Sequence, residues 1–264
     1  MNTLKVGILL AALTGLFVMI GNMVGGQSGM IIAFIIAIVM NFGSYWFSDK
    51  IVLSMTRAKR VSETEAPELY EMVRRLSERA SIPAPKLYVI NDPSPNAFAT
   101  GRSPSHAAVA VNTGLLNILN KPEVEGVIAH ELAHIRHRDT LTMTIAATVA
   151  GAITMIAHFA QFAAFFGGGG RDEEGHGTNP IALLAMAIVA PLAAMIIQLA
   201  ISRAREYEAD RLGAQLAGTP QGLANALLKL ERGNQAVPSH TNESIAPLYI
   251  VNPLSGGGLT KLFM

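Results

Sequence analysis

The sequence predicts an α-helical membrane protein with four transmembrane helices plus a cytoplasmic α+β domain. Three observations carry that expectation. Four long apolar runs contain no Asp, Glu, Lys or Arg. Basic residues gather at one set of their ends. A charged stretch of mixed helix and strand patterning, 49–140, separates the runs into two pairs.

Composition agrees with this reading. Of the 264 residues 50% are hydrophobic and 15% charged, which excludes a disordered chain. A formal net charge of +1 implies no nucleic-acid partner. The absence of cysteine removes disulfides, thiolate metal sites and cysteine nucleophiles together, so any metal must be held by His, Asp or Glu.

The first pair of runs, within 1–48, forms a hairpin with spans at about 6–20 and 30–47, split by the glycine-rich break Gly21–Gly29. Each half is near the length a helix needs to cross the hydrocarbon core. Tyr45 and Trp46 suit the interface at its end. A cleaved signal peptide is the alternative for the first run, but no small-x-small cleavage site follows it and a second apolar run comes almost at once. The second hairpin, 141–201, has spans at about 141–166 and 181–201, joined by a glycine tip at Gly167–Gly170. Its polar residues His158, Gln161 and Gln198 read as hydrogen bonds within the bundle, since no second ionisable group shares their depth, and Pro191 is a kink. Lys50, Arg57, Lys59, Arg60, Arg136, Arg138, Arg203 and Arg205 all flank one side, whereas the tip Arg171–Glu174 is net acidic. The positive-inside rule then puts both termini and 49–140 in the cytoplasm.

Within 49–140, Leu69, Met72, Val73 and Leu76 recur at helical spacing between Glu65 and Ala80, and Pro83 and Pro85 end that helix. Lys86–Ile90, Ala97–Thr100 and Ala107–Val111 read as short strands, with a turn at Asn91–Pro95. Asn112-Thr113-Gly114 opens a short helix. A longer helix begins about Glu123, where Pro122 and an acid both favour a helix start.

That helix contains His130-Glu131-Leu132-Ala133-His134, an HExxH sequence. Residues four apart share a helix face, so His130 and His134 can hold one zinc ion, with Glu131 beside them as the base for a water. A chance match in a chain of this length is on the order of one in a hundred. The bland reading, two solvated histidines, is weaker because the motif sits on a well-marked helix. A catalytic zinc needs a third protein ligand. Positions 137 and 140 are His137 and Thr140, which excludes the metzincin pattern, and His137 falls with Arg136 and Arg138 in a basic interfacial cluster. The chain returns to the same membrane face after Ile201, in segment 202–264, where Glu206, Glu208 and Asp210 are all available. Helical spacing puts Glu206 and Asp210 on one face, with Glu208 roughly 200° round from Glu206. An ordinary helical charge network of Arg203, Glu206 and Asp210 is the competing reading.

With HELAH at 130–134 and SRAREYEAD at 202–210, the chain resembles the M48 family of membrane zinc metallopeptidases, in its HtpX heat-shock protease branch. PNAFATG at 95–101, AVAVNTGLL at 108–116 and LYIVNPLSGG at 248–257 extend the resemblance over nearly the whole chain. It implies a zincin-like (gluzincin) protease domain with one Zn2+, held by His130, His134 and Glu206. It further implies Glu131 as general base, Asp210 as support for His130, Asn96 as a holder of substrate backbone, and substrate lying along an edge strand by β-augmentation. It implies a multi-pass protein of the bacterial inner membrane, active at the cytoplasmic surface on misfolded or damaged membrane proteins, in stress response and quality control. In the family the chain continues past the equivalent of Leu262–Phe263 into a His-Pro segment whose His is a candidate oxyanion stabiliser. This sequence stops at Met264, and His240 lies in no His-Pro context. Two other functions compete. In a non-enzymatic scaffold, zinc would only clamp two spans, and Glu131 would have no use. A zinc transporter would place ligands near the bilayer midplane, where His158 stands alone.

Overall fold

The computed structural model describes residues 2–149, 203–237 and 245–251. Helical backbone runs from Asn2 to Met55 (α1), yet it is not a single rod. At Gly26 φ is +56°, and the chain turns back on itself. Asn41 Nδ2 donates to Leu10 O at 3.2 Å and to Thr14 Oγ1 at 2.8 Å. In one straight helix these residues would lie about 45 Å apart. The glycines of the break let the two arms touch: a Cβ on Gly21 would sit 2.4 Å from that of Ala33. The two arms therefore lie side by side as a helical hairpin. Gly26–Met55 is long and apolar enough to cross a membrane, and Val6–Met19 is a shorter apolar helix. Ile31, Ile32, Phe34, Ile35, Ile38, Val39 and Phe42 all stand exposed, the surface expected of a helix facing lipid rather than water. The second expected hairpin is described only at its start, where residues 139–149 are helical (α5). His158, Gln161, Pro191, Gln198 and the glycine tip lie outside the described residues, as do His240 and Leu262–Phe263.

The α+β unit is built on a four-stranded sheet ordered β1-β2-β4-β3. Its strands are β1 (Lys59–Arg60), β2 (Lys86–Ile90), β3 (Ala97–Gly101) and β4 (Ala107–Asn112). β2 runs parallel to β4, while β1 and β3 are antiparallel to their neighbours. The sheet is covered on both faces, and strand alternation sorts its side chains between them. Leu87, Val109 and Val111 pack with α2 (Pro67–Ala80) and α4 (Lys121–His137). Ile90, Phe98, Ala108 and Ala110 pack with Val52 and Leu53 at the end of α1 and with Ala147 of α5. The end of α1 and α5 thus form the third layer, which is why β3 and β4 are buried throughout.

Of the expected elements, β2 has the bounds read from the sequence, and β3 and β4 each run one residue further. α2 starts at Pro67, not Glu65, because proline suits the first helical turn. The Glu65 carboxylate instead accepts from Ser62 N–H at 2.6 Å. α3 (Thr113–Ile118) follows Asn112 as read. α4 starts two residues early, capped by Asn120, whose side chain accepts from Glu123 N–H while Glu123 accepts from Asn120 N–H. Among the described residues two further α-helices follow α5: α6 (Arg203–Ala217) and α7 (Gln221–Ala236).

Candidate active site

The site forms where α4 and α6 cross. α4 is buried along Val127–Ile135, an interior helix, so its polar residues there need partners. α6 reaches it through a glycine. A Cβ on Gly213 would meet His130 Cα and N at 3.1 Å, so the backbones touch there. Asp210 and Glu206 lie three and seven residues earlier on the same helical face, and both arrive at the histidines.

His130 Nε2 and His134 Nε2 are 3.1 Å apart. Glu206 Oε2 lies 3.8 Å from the first and 3.5 Å from the second. The three donor atoms all fall within 4.8 Å of one another. The opposite ring nitrogens both face carboxylates. His130 Nδ1 is 2.9 Å from Asp210 Oδ1, although its N–H points off that line. His134 Nδ1 is 3.4 Å from Asp139 Oδ2. Rings whose Nδ1 faces a carboxylate present Nε2 to a third, anionic donor. Three electron-rich atoms converging in this way fit a cation.

Electrostatics agree. Burial pulls the His134 ring down, but Asp139, Glu206 and Glu131 outweigh it, and its pKa is pushed up to about 10. Without a metal, a proton occupies the place of the cation. Burial pushes Glu206 up, but His134 and His130 prevail and hold it below its ordinary value. Glu131 is buried beside them, and burial pushes its carboxyl up despite the pull of both histidines. The backbone of Ala99 in β3 also pulls it down, and the edge strand of the sheet packs against the motif helix.

The expectations for the neighbours divide. Glu208 points away, as its spacing implies, and pairs with Arg211 at 2.7 Å. His137 lies exposed with Arg136 and Arg138. Asn96 is buried and does not join the histidine cluster. Its Nδ2 donates to Val251 O at 2.7 Å, and its Oδ1 accepts from Ala97 N–H at 3.1 Å and Val251 N–H at 3.3 Å. Ile250 N–H donates to Ala97 O at 3.1 Å, so the chain's own segment covers the start of the β3 edge. Sequence reading missed Asp139 and Arg205. Asp139 follows His134 by five residues, a spacing that on a continuous helix points about 140° away.

Two histidines of an HExxH helix, a carboxylate from a second helix and an edge strand alongside define a metal-dependent peptidase joined to a lipid-facing helical hairpin. Comparison with known proteins gives the particular kind. The model of peptidase family M48 matches residues 63–251, and the chain belongs to that family. It is 56% identical over 265 residues to a protein named "Protease HtpX homolog" from Paraburkholderia phytofirmans, covering 99% of this chain and 91% of that one. A protein of the same name from Pelotomaculum thermopropionicum is 57% identical over 263 residues, covering 100% and 94%. Among solved structures, Ste24p of S. mikatae aligns over 92% of this chain and 59% of its own at 16% identity, with a TM-score of 0.48, too slight a likeness to argue from. The chain is a membrane-associated metalloprotease, and its substrates are proteins.

Proposed function

We propose that the chain is a membrane-embedded zinc endopeptidase that cleaves misfolded or damaged membrane proteins at the cytoplasmic face of a bacterial inner membrane. In this reading the hairpins 1–48 and 141–201 frame one protease domain, made from 49–140 and 202–264. The observation that carries it is the convergence of His130, His134 and Glu206 within 4.8 Å, with Glu131 buried beside them. His130 and His134 bind through Nε2, Glu206 through its carboxylate, and Asp210 holds His130 through Nδ1. Bound there, one zinc ion supplies Lewis acidity, lowering the pKa of a water toward ~7 and polarising a peptide carbonyl. Glu131 takes the proton of the attacking water at a carboxylate oxygen. It then delivers that proton to the leaving amide nitrogen as the C–N bond breaks. His130, Glu131 and His134 are buried while Glu206 and Asp210 are part-exposed, so the site opens on the side of α6 and is shielded on the side of α4. Asn96 brackets the backbone N–H and C=O of one residue with its two amide atoms, the pattern it already makes with Val251, and would hold substrate backbone in the same way.

The test is metal analysis of the purified chain with cleavage of an unfolded membrane protein, with and without chelator. Glu131→Gln should keep zinc and the fold while cleavage falls ~10²–10⁴-fold. Undiminished cleavage by that variant would remove Glu131 from the mechanism. Zinc without cleavage in the wild type would favour the scaffold.

A further inference from the structure

We infer that Asp139, steadied by Arg205, is the positioning residue for His134, the counterpart of Asp210 for His130. The inference rests on the zinc-site reading above. α4 ends at His137, and Arg138 takes the left-handed conformation with φ 59° and ψ 30°. Arg138 N–H closes the helix on His134 O and Ile135 O. That one residue redirects the chain. Asp139, which a continuous helix would carry to another face, folds back beneath the second histidine. A non-glycine residue in this conformation is strained, and such strain persists where surrounding contacts over-determine it.

Those contacts are present. Asp139 is 4% exposed in its side chain, with Oδ2 at 3.4 Å from His134 Nδ1 and Oδ1 at 3.8 Å from Arg205 Nη1. A buried carboxylate requires such partners. Accepting the Nδ1–H fixes the tautomer of His134 and leaves Nε2 bare on the side of Glu206. Arg205 immediately precedes Glu206, so one turn of α6 delivers both the third donor and the cation that steadies Asp139. Asp139 also begins α5, and Arg205 lies in the first turn of α6. The metal site is thereby braced at the two points where the chain enters and leaves segment 150–202.

A bland role competes: an acid in the first turn of a helix stabilises that helix with no reference to a metal. Asn serves a helix start as well as Asp, and the two roles have different readouts. The full chain in detergent, with Asp139→Asn, Asp139→Ala and Glu206→Ala, is titrated with zinc against a chelator of known affinity. Metal-free melting temperatures are taken in parallel, and visible spectra of the cobalt-loaded forms report ligand geometry. Asp139→Ala should bind zinc ~10–100-fold more weakly with a shifted cobalt spectrum, and Asp139→Asn should lie between it and wild type. Arg205→Gln should weaken binding in the same direction by less. Wild-type affinity and an unchanged spectrum in the Asp139 variants, with only the melting temperature lowered, would overturn the inference. If Asp139→Ala does not fold, Asp139→Asn carries the test. If Glu206→Ala itself keeps wild-type affinity, the failure belongs to the zinc-site reading and not to Asp139.

Discussion

His130 and His134 turn Nε2 inward and Nδ1 toward Asp210 and Asp139, so the carboxylates around the site have separate duties. That separation orders the effects of substitution. Glu206→Ala should lose zinc about as severely as His134→Ala. Asp210→Asn should weaken binding or activity ~10–100-fold, because it only orients a ligand. Glu208→Ala should change neither, since Glu208 pairs with Arg211 at the surface. Zinc titrations of the four variants check the order, and loss of zinc on Asp210→Asn with retention on Glu206→Ala would exchange the two roles. The same site has a pH signature. The His134 ring in the metal-free chain is raised to about 10. A raised pKa adds stability that is fully present below the unfolded value of ~6.5 and is lost as pH rises through the folded one. The chelated protein should therefore lose melting temperature between pH ~7 and ~10, and zinc loading at pH 8 should release a proton. Calorimetry in buffers of different ionisation enthalpy measures that release, and zinc uptake without it would contradict the charge state assigned to His134.

Between elements, the critical contact is α6 on α4 at Gly213. An added Cβ would stand 3.1 Å from His130 Cα and N, and backbone cannot swing aside as a flexible side chain can. Gly213→Ala should push α6 outward by a few tenths of an ångström and weaken zinc binding several-fold. Gly213→Val should weaken it further, with a loss of ~1–3 kcal/mol in stability from overpacking. Melting curves and zinc titration of the two variants test this; wild-type zinc affinity in Gly213→Val would mean that Glu206 is not placed by this contact. The helices themselves were legible from the chain. Leu69, Met72, Val73 and Leu76 mark α2 by period, and Pro122 with an acid marks the start of α4. β1 was not legible, because two exposed residues, Lys59 and Arg60, carry no period and are a strand only through pairing with Tyr88 and Val89.

Over the whole molecule, the lipid-facing hairpin and the protease unit are joined by more than the chain. The Arg102 guanidinium lies 4.7 Å from the centre of the Trp46 ring and donates to Trp46 O at 3.3 Å, so the β3–β4 connection rests on the end of the hairpin. Val52 and Leu53 complete the core under the sheet. The active helix is thereby tied to the hairpin through the sheet. If the basic flanks face the cytoplasm, a single cysteine at position 62 should resist an impermeant thiol reagent applied to intact cells, and one at position 178 should react. Labelling of position 62 from outside would reverse the orientation.

The sequence by itself determined the chemistry that depends on short spacing. Two histidines four residues apart share a helix face, Glu206 and Asp210 share another, and the glycines at 21–29 allow an apolar chain to turn. Local periodicity sets such relations, so they survive without knowledge of the fold. The tertiary structure decided what depends on residues far apart or on a single backbone torsion. β3 is the edge strand only because β4 inserts beside β2. Asn96 meets Val251 across 155 positions. Asp139 reaches His134 only because Arg138 leaves the helical conformation. No periodic pattern encodes these contacts; they form when burial of both faces of the sheet forces the helices, and the polar groups they carry, into one place.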